Sequence, residues 1–288
     1  MNIHLRTPDV DQLSEVVGTL RDWQDEAAPV QLHPGDLGWA WTLGATAVAA
    51  AVRTWHRGDT LVALAFLDGH DVLRLTVAPD VWRDDDVARR LVTDLADPTR
   101  GVLPAGEASV EAPNGTLVQE LLTTAGWGLG ESWTPLRHDF TPSSEPESLE
   151  IEVVTAGHES AFTAVHRSAW GSPRFTDEVW RTMAAGSPYA DARCLLGRDD
   201  EGVAVAGVTV WSAGRGRPGL IEPMGVHAAH RGLGHGAAIC RAAAAELSRL
   251  GASSAVVCTP TSLTSAVATY RAAGFRPGPQ RRDRTRPA

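Results

Sequence analysis

The segment Glu222-Pro-Met-Gly-Val-His-Ala-Ala-His-Arg-Gly-Leu-Gly-His-Gly236 carries the strongest structural signal in this chain of 288 residues. A strand-like run, Gly219–Val226, precedes a loop with three closely spaced glycines, and an Ala-rich helical run then extends from about Gly234 to Leu250. Glycines let the backbone curl, so that several N–H groups at the start of the helix point at one spot, where the helix dipole favours negative charge. The segment therefore predicts an anion-binding loop, to which Arg231 adds a positive charge.

Two other phosphate-binding loops fit this segment less well. Gly232-Leu-Gly-His-Gly-Ala237 matches the dinucleotide pattern GxGxxA, but that pattern needs an acidic residue at the end of the next strand. The next strand ends at Cys258-Thr-Pro, without an acid, which disfavours a dinucleotide site. A P-loop is excluded because all 26 basic residues are Arg and the chain has no Lys.

The pattern Arg231-x-x-Gly234-x-Gly236 resembles the acyl-CoA pyrophosphate loop of the GNAT-superfamily N-acetyltransferases. Tyr270-Arg-Ala-Ala-Gly-Phe275, about 38 residues further on, is similar to the second signature of that family, and the resemblance covers residues 150–280. It implies an α/β (α+β) fold, in which a mixed, mostly antiparallel sheet is flanked by helices. Acyl-CoA would lie in the gap between two splayed parallel strands. One departure is Leu263, seven residues before Tyr270, where family members often have Asn; the neighbouring Ser262 is a candidate replacement.

The resemblance also implies roles for individual residues. Tyr270 would donate a proton to the departing thiolate. Glu222, four residues before Val226 and hence expected on the same face of the strand, is the candidate general base; an ion pair or a solvated strand end is the alternative. The residues expected to bind acyl-CoA are Met224, Gly225 and Val226 through their backbone groups, Arg231, Gly232, Leu233, Gly234, His235 and Gly236 at the pyrophosphate, and Ser262 at the pantetheine arm.

The chain also contains a faint internal repeat. Ile3 matches Ile151 at an offset of 148 residues, and Thr124-Ala-Gly-Trp127 matches Ala272-Ala-Gly-Phe275 at the same offset. The repeat predicts two tandem GNAT-like domains, over residues 1–140 and 151–288, joined by a Pro-, Ser- and Glu-rich linker over 141–150. The layout is similar to that of mycothiol synthases.

The two halves differ at the positions that carry the motifs. Residues 1–140 contain 10 Arg and 21 acidic residues, whereas residues 151–288 contain 16 Arg and 11 acidic residues. Alignment of the repeat places Asp84, Asp85 and Asp86 in the loop that would hold the pyrophosphate, and Leu122 at the position of Tyr270. Because carboxylates repel phosphates, we expect the first half to be a degenerate copy without a CoA-binding loop.

Composition and cysteine usage exclude several classes of protein. Cys194, Cys240 and Cys258 have no spacing typical of a metal site or a disulfide framework, so we expect no metal and a cytoplasmic location. No signal peptide is visible, and the longest apolar stretch, Ala45–Val52, is too short for a membrane span. The tail Arg281–Arg286 is basic but short and lacks interleaved aromatic residues, which favours a solvated tail over a nucleic-acid site.

The sequence thus favours an acetyl-CoA-dependent N-acetyltransferase that transfers an acyl group to a small-molecule primary amine by direct attack, as a monomer or homodimer. A non-catalytic acyl-CoA-binding or regulatory protein, and an acyl group longer than acetyl, are the alternatives. Trp39 and Trp41 could line the acceptor site or anchor the interface between the halves. Neither a nucleic acid nor a membrane is an expected partner.

Overall fold

The computed structural model describes residues 3–141 and 148–288, so that residues 142–147 of the predicted linker lie outside it. The strands and helices predicted around the loop motif are present with shifts of one or two residues at their ends. The first half contains, in chain order, β1 (Ile3–Arg6), α1 (Leu13–Asp22), α2 (Pro34–Ala40), α3 (Ala45–Ala51), β2 (Val52–Arg57), β3 (Thr60–Leu67), β4 (Val72–Val77), α4 (Asp85–Ala96), β5 (Ala108–Glu111), α5 (Leu117–Thr124) and β6 (Gly128–His138). The second half contains β7 (Glu150–Val153), α6 (Ser160–Trp170), α7 (Asp177–Ala184), β8 (Ala192–Arg198), β9 (Ala204–Trp211), β10 (Gly219–Val226), α8 (His235–Arg249), β11 (Ala255–Pro260), α9 (Thr264–Ala272), β12 (Arg276–Pro277) and β13 (Arg281–Arg286).

One mixed sheet runs through both halves in the order β1-β2-β3-β4-β5-β13-β6-β11-β10-β9-β8-β7, with β12 paired to β6. Neighbouring strands are antiparallel except for β4 with β5 and β10 with β11, one parallel pair in each half. In the second half, α8 and α9 cover one face of the sheet with a core that includes Ile239 and Leu247. On the other face, α6 and α7 bury Phe162 and Trp180. The first half has its own apolar core.

The halves exchange strands at their junction. β6 pairs with β11 of the second half from Ala255 opposite His138 to Pro260 opposite Trp133. β13, at the end of the chain, lies between β5 and β6. The prediction of a solvated basic tail is therefore wrong, because alternate residues of this tail, Arg281 and Asp283, are buried and paired with other residues of the chain.

Helix α2 of the first half packs directly against Trp211 of β9. Trp211 is 1% exposed, and a Cβ atom added to Gly38 would lie 2.3 Å from its ring. Trp39 packs at a tilted angle against His166 and Phe175, and Trp41 packs on Gly186, so both tryptophans contact the second half. Glycine in α2 thus permits a contact between the halves that no larger residue allows.

We expect Gly38→Ala to lower the free energy of unfolding by about 1–3 kcal/mol, because the buried indole cannot move away from the added methyl group. Gly18→Ala in α1 is the matched control. Nothing lies within 4 Å of a Cβ at Gly18, so the same change should stabilise the protein by about 0.5–1 kcal/mol. Urea unfolding of both variants checks the pair, and equal effects would contradict the close interface contact.

Candidate active site

A gap opens between β10 and β11 in the second half. The two strands pair only at Gly219 with Ala255 and at Leu220 with Val256, and beyond these residues they diverge. On the sides away from the gap, β10 is hydrogen-bonded to β9 and β11 is hydrogen-bonded to β6. The edges that face the gap therefore keep backbone groups available for a ligand that inserts between the strands.

The corresponding strands of the first half, β4 and β5, pair over a longer stretch. β4 and β5 pair at Val72 with Ser109, and pairing continues through Arg74 with Glu111. With the offset of 148 residues, Val72 corresponds to Leu220, the last residue of β10 that pairs with β11. The parallel strands of the first half therefore diverge about two residues later than those of the second half.

The glycine loop and the start of α8 form a concave surface of backbone N–H groups. Gly232 and Gly234 have positive φ angles of 79° and 86°, a conformation that side chains disfavour. Throughout residues 232–237, no backbone N–H donates to a protein acceptor within the described ranges. A Cβ at Gly236 would lie 2.8 Å from Thr269, so α8 also approaches α9 closely here. Six unpaired donors at a helix N-terminus are an arrangement that binds anions.

The side chains of this loop are mostly exposed. Leu233 is 67% exposed, and the Arg231 guanidinium donates to the carbonyl oxygen of Ala169 at 2.5 Å. His235 starts the helix, and its buried Nδ1 atom has no hydrogen-bond partner in the described part of the chain.

The equivalent helix of the first half is capped by its own sequence. The carboxylate of Asp84 accepts the N–H of Val87 at 2.9 Å and pairs with Arg57 at 2.7 Å. The hydrogen bond from Arg57, followed by that from the Val87 N–H, lowers the pKa of Asp84. A fixed carboxylate therefore lies where α8 has Gly234.

A cavity of about 360 Å³ adjoins the gap at the interface of the two halves. From the second half it is lined mainly by Trp170, Leu220, Glu222, Met224, Cys258, Leu263, Tyr270 and Arg281, and from the first half by Val30, Gln31, Asp36, Arg74, Glu111 and Trp133. Its polar walls are therefore formed by both halves.

Glu222 lies at a β-bulge in β10. The register against β9 shifts between Ile221 and Met224, so one extra residue is inserted. Met224 and Val226 pack toward α8 on one face of the sheet. Leu220 belongs to the core on the opposite face, and Glu222, two residues further along the strand, lies on the same face as Leu220. The expectation that Glu222 and Val226 share a face is therefore wrong, because the bulge reverses the alternation.

The carboxylate of Glu222 points at the cavity, with 37% of the side-chain surface accessible and the guanidinium of Arg74 at 3.9 Å. Its backbone carbonyl accepts the indole N–H of Trp211 at 2.6 Å. Burial raises the pKa of Glu222 to about 7; Arg74 opposes this rise, and the carboxylates of Asp36, Asp68 and Glu111 add to it. A base with a pKa near neutrality suits proton transfer at physiological pH.

Tyr270 reaches the same cavity from α9. The residue is 7% exposed, and its ring packs edge-on against Phe275 at 5.8 Å. Burial raises the pKa of Tyr270 well above its usual range, so the hydroxyl is protonated at neutral pH. Burial also raises the pKa of Cys258 to about 11, which keeps that thiol neutral and a weak nucleophile.

The remaining predicted residues lie around the gap. Gly225 packs under Trp170, since a Cβ there would lie 2.4 Å from the indole ring. Ser262 follows β11, and its hydroxyl donates to Glu131 at 3.4 Å. Met224 and Leu263 both line the cavity.

Sequence reasoning missed four charged residues of the cavity wall: Asp36, Arg74, Glu111 and Arg281. Arg74 pairs with Asp36 at 2.5 Å, and Arg281 pairs with Glu111 at 2.7 Å. No local motif contains these residues, because the pairs join segments that are distant in the chain.

Within residues 3–141 and 148–288, no helix is both long and apolar enough to cross a membrane. No cluster of three or more His, Cys, Asp or Glu side chains there is arranged to hold a metal ion.

Comparison with known proteins identifies the fold. Residues 159–275 match the model of the acetyltransferase (GNAT) family. Among solved structures, a GNAT-family acetyltransferase from Colwellia psychrerythraea has a TM-score of 0.64 at 13% identity, with 99% of each chain covered. A tandem GNAT protein from the clavulanic acid biosynthesis pathway also has a TM-score of 0.64, at 15% identity, with 99% of this chain and 98% of that chain covered.

A GCN5-related N-acetyltransferase from Sphaerobacter thermophilus has a TM-score of 0.59 at 19% identity, with 99% of this chain and 95% of that chain covered. No curated protein matches the chain. Coverage of 99% of this chain by a tandem GNAT structure confirms the prediction of a tandem arrangement with this fold.

Proposed function

From the premise that the chain has a tandem GNAT fold and that its residues 159–275 match this acetyltransferase family, we propose that the protein is an acetyl-CoA-dependent N-acetyltransferase acting on a small-molecule primary amine. Residues 151–288 would form the catalytic domain, residues 1–140 a domain without a CoA-binding loop, and residues 141–150 the linker. One observation carries the proposal. The gap between β10 and β11 has unpaired N–H groups at one end and adjoins a cavity with a carboxylate and a phenol.

The proposed binding of acetyl-CoA uses the backbone of the second half. The N–H groups from Gly232 to Gly236 would receive the pyrophosphate, together with the side chains of Arg231 and His235. Met224, Gly225 and Val226 would bond the acyl carbonyl and the pantetheine amides along the free edge of β10. Ser262 would contact the pantetheine arm after release from Glu131.

The cavity favours a small acceptor with a positive charge in solution. Its volume of about 360 Å³ lies at the lower end of the range for small-molecule sites. Asp36, Glu111 and Glu222 line it against Arg74 and Arg281, so carboxylates outnumber guanidinium groups. An ammonium group would therefore be attracted to the cavity and would lose its proton there.

In the proposed reaction the amine nitrogen attacks the thioester carbonyl carbon. A C–N bond forms, the C–S bond breaks, Glu222 takes a proton from the nitrogen, and Tyr270 supplies a proton to the departing sulfur. Glu222 can act in this way because a large fraction of it is ionised near pH 7. Orientation of the two substrates between the strands and the cavity supplies further acceleration.

Calorimetry with acetyl-CoA should find one site per chain, because in the first half the Asp84 carboxylate caps the equivalent helix and the β4–β5 pairing extends two residues further than the β10–β11 pairing. A screen of amines, amino sugars and peptides, followed through CoA release with a free-thiol reagent, should then identify the acceptor. Two sites, or none, would contradict the assignment of the halves. Tight binding without turnover on any acceptor would favour a non-catalytic acyl-CoA-binding protein.

A further inference from the structure

The cavity wall contains one guanidinium group shared by four carboxylates. Arg74 of β4 lies 2.5 Å from Asp36, 3.0 Å from Asp68, 3.6 Å from Glu111 and 3.9 Å from Glu222. Only 18% of the Arg74 side chain is accessible, and Asp36 and Glu111 are at 6% each. Charges this poorly solvated interact strongly, so the ionisation of each carboxylate depends on how the others engage Arg74.

The position of Arg74 follows from the repeat. It lies 148 residues before Glu222, which is also the spacing between Ile3 and Ile151. The two residues therefore occupy equivalent places in β4 and β10, and the strand exchange at the junction brings these places together across the cavity. The second half has an acid at this position, and the first half has a base.

We propose that Arg74 is a positioning residue that controls the protonation of Glu222, so that the half without a CoA-binding loop sets the pH at which the other half is active. This rests on the proposed role of Glu222 as the general base. Arg74 favours the ionised carboxylate, but its attraction is divided because Asp36 and Asp68 lie closer to the guanidinium than Glu222 does. Glu222 is thereby kept able to gain and lose a proton near neutrality.

Apart from Arg74, none of the ionisable groups described near Glu222 favours its ionisation strongly. Asp36 from α2, Asp68 from the turn after β3, and Glu111 from β5 all oppose its ionisation. Tyr270 from α9 and Cys258 from β11 are neutral at pH 7 because burial raises the pKa of each. Arg281 from β13 is occupied by Glu111 at 2.7 Å. Arg74 is thus the basic side chain paired with Glu222 among the described residues.

The proposal makes opposite predictions for two kinds of variant. Arg74→Gln removes the attraction and should raise the pKa of Glu222 by about 1 pH unit or more. Asp36→Asn and Asp68→Asn remove a competing charge, free Arg74 for Glu222 and should lower that pKa. Asp68 has a half-exposed side chain, so Asp68→Asn should fold even if Arg74→Gln, which leaves buried carboxylates unpaired, does not.

The pKa of Glu222 can be measured by NMR titration of protein labelled with 13C at the glutamate carboxyl, with Glu222→Gln to assign the signal. Arg57→Gln is the matched control, because Arg57 also belongs to the first half and pairs with an aspartate but lies away from the cavity. The control should titrate like the wild type. Since only ionised Glu222 acts as a base, the acidic limb of the kcat/KM profile should move to higher pH in Arg74→Gln and to lower pH in the Asp variants.

An unchanged Glu222 titration in Asp68→Asn and Asp36→Asn would overturn the proposal, whether or not Arg74→Gln folds. Because the titration requires no turnover, it separates this inference from the proposed function. If the titration shifts as expected but the rate of amine acetylation does not follow it, Arg74 does control Glu222 and the role of Glu222 as the base is wrong.

Discussion

Replacement of Gly234 by Asp is expected to weaken acetyl-CoA binding by at least about 100-fold. The new carboxylate would lie at the N-terminus of α8, among the N–H groups proposed to hold the pyrophosphate, where like-charge repulsion amounts to about 1–4 kcal/mol. Within this range, a loss of about 3 kcal/mol corresponds to a factor of about 100 in Kd. The φ angle of 86° at Gly234 adds about 1–2 kcal/mol of strain for a residue with a side chain, which lowers the stability of the free and the bound protein alike.

The fold should tolerate this substitution, because Asp is one of the few residues with a side chain that adopt the left-handed conformation of Gly234 at low cost. Gly202→Asp is the matched control: Gly202 has a φ angle of 77° and lies in the exposed turn between β8 and β9. Both variants carry similar strain and the same added charge. Calorimetry should show near-normal acetyl-CoA binding in Gly202→Asp, and equal losses in the two variants would mean that Gly234 does not contact the pyrophosphate.

The sequence predicted the parts of the site that depend on neighbouring residues. The strand β10, the glycine loop and α8 could be predicted because periodicity, glycine spacing and helix start signals act within a few residues of one another. The same local reasoning placed Tyr270 near the end of a helix beside the gap, and the structure finds it lining the cavity.

The remaining features depend on contacts between distant segments. The strand exchange buries Arg281 against Glu111 over a separation of 170 residues, so no local sequence pattern predicts it. A tail with alternating charged residues instead predicts a solvated segment. The face on which Glu222 lies is decided by the bulge at Pro223, a shift of one residue that a strand pattern does not reveal. The repeat offset makes Arg74 and Glu222 equivalent in sequence, but their contact across the cavity depends on how the two halves pack, which no local pattern predicts.

The second large effect is expected from Tyr270→Phe, which should reduce kcat by about 10²–10³-fold, within the range that general acids contribute. The hydroxyl faces the cavity and the ring packs on Phe275, so phenylalanine keeps the packing and removes only the proton donor. Because the exchange removes one hydroxyl and keeps the ring, the free energy of unfolding should change by no more than about 1 kcal/mol. Acetyl-CoA affinity by calorimetry should also stay near the wild-type value, so that the loss appears in kcat alone.

Tyr189→Phe is the matched control, since Tyr189 is the other of the two tyrosines and lies outside the cavity wall. The Tyr189→Phe variant should acetylate the acceptor amine at close to the wild-type rate. A further test uses the leaving group: if Tyr270 protonates the departing thiolate, the defect of Tyr270→Phe should shrink with an acyl donor whose thiol is more acidic, because such a thiolate leaves without help. A defect of constant size across donors would assign Tyr270 to orientation of the thioester, and wild-type turnover in Tyr270→Phe would remove it from the mechanism.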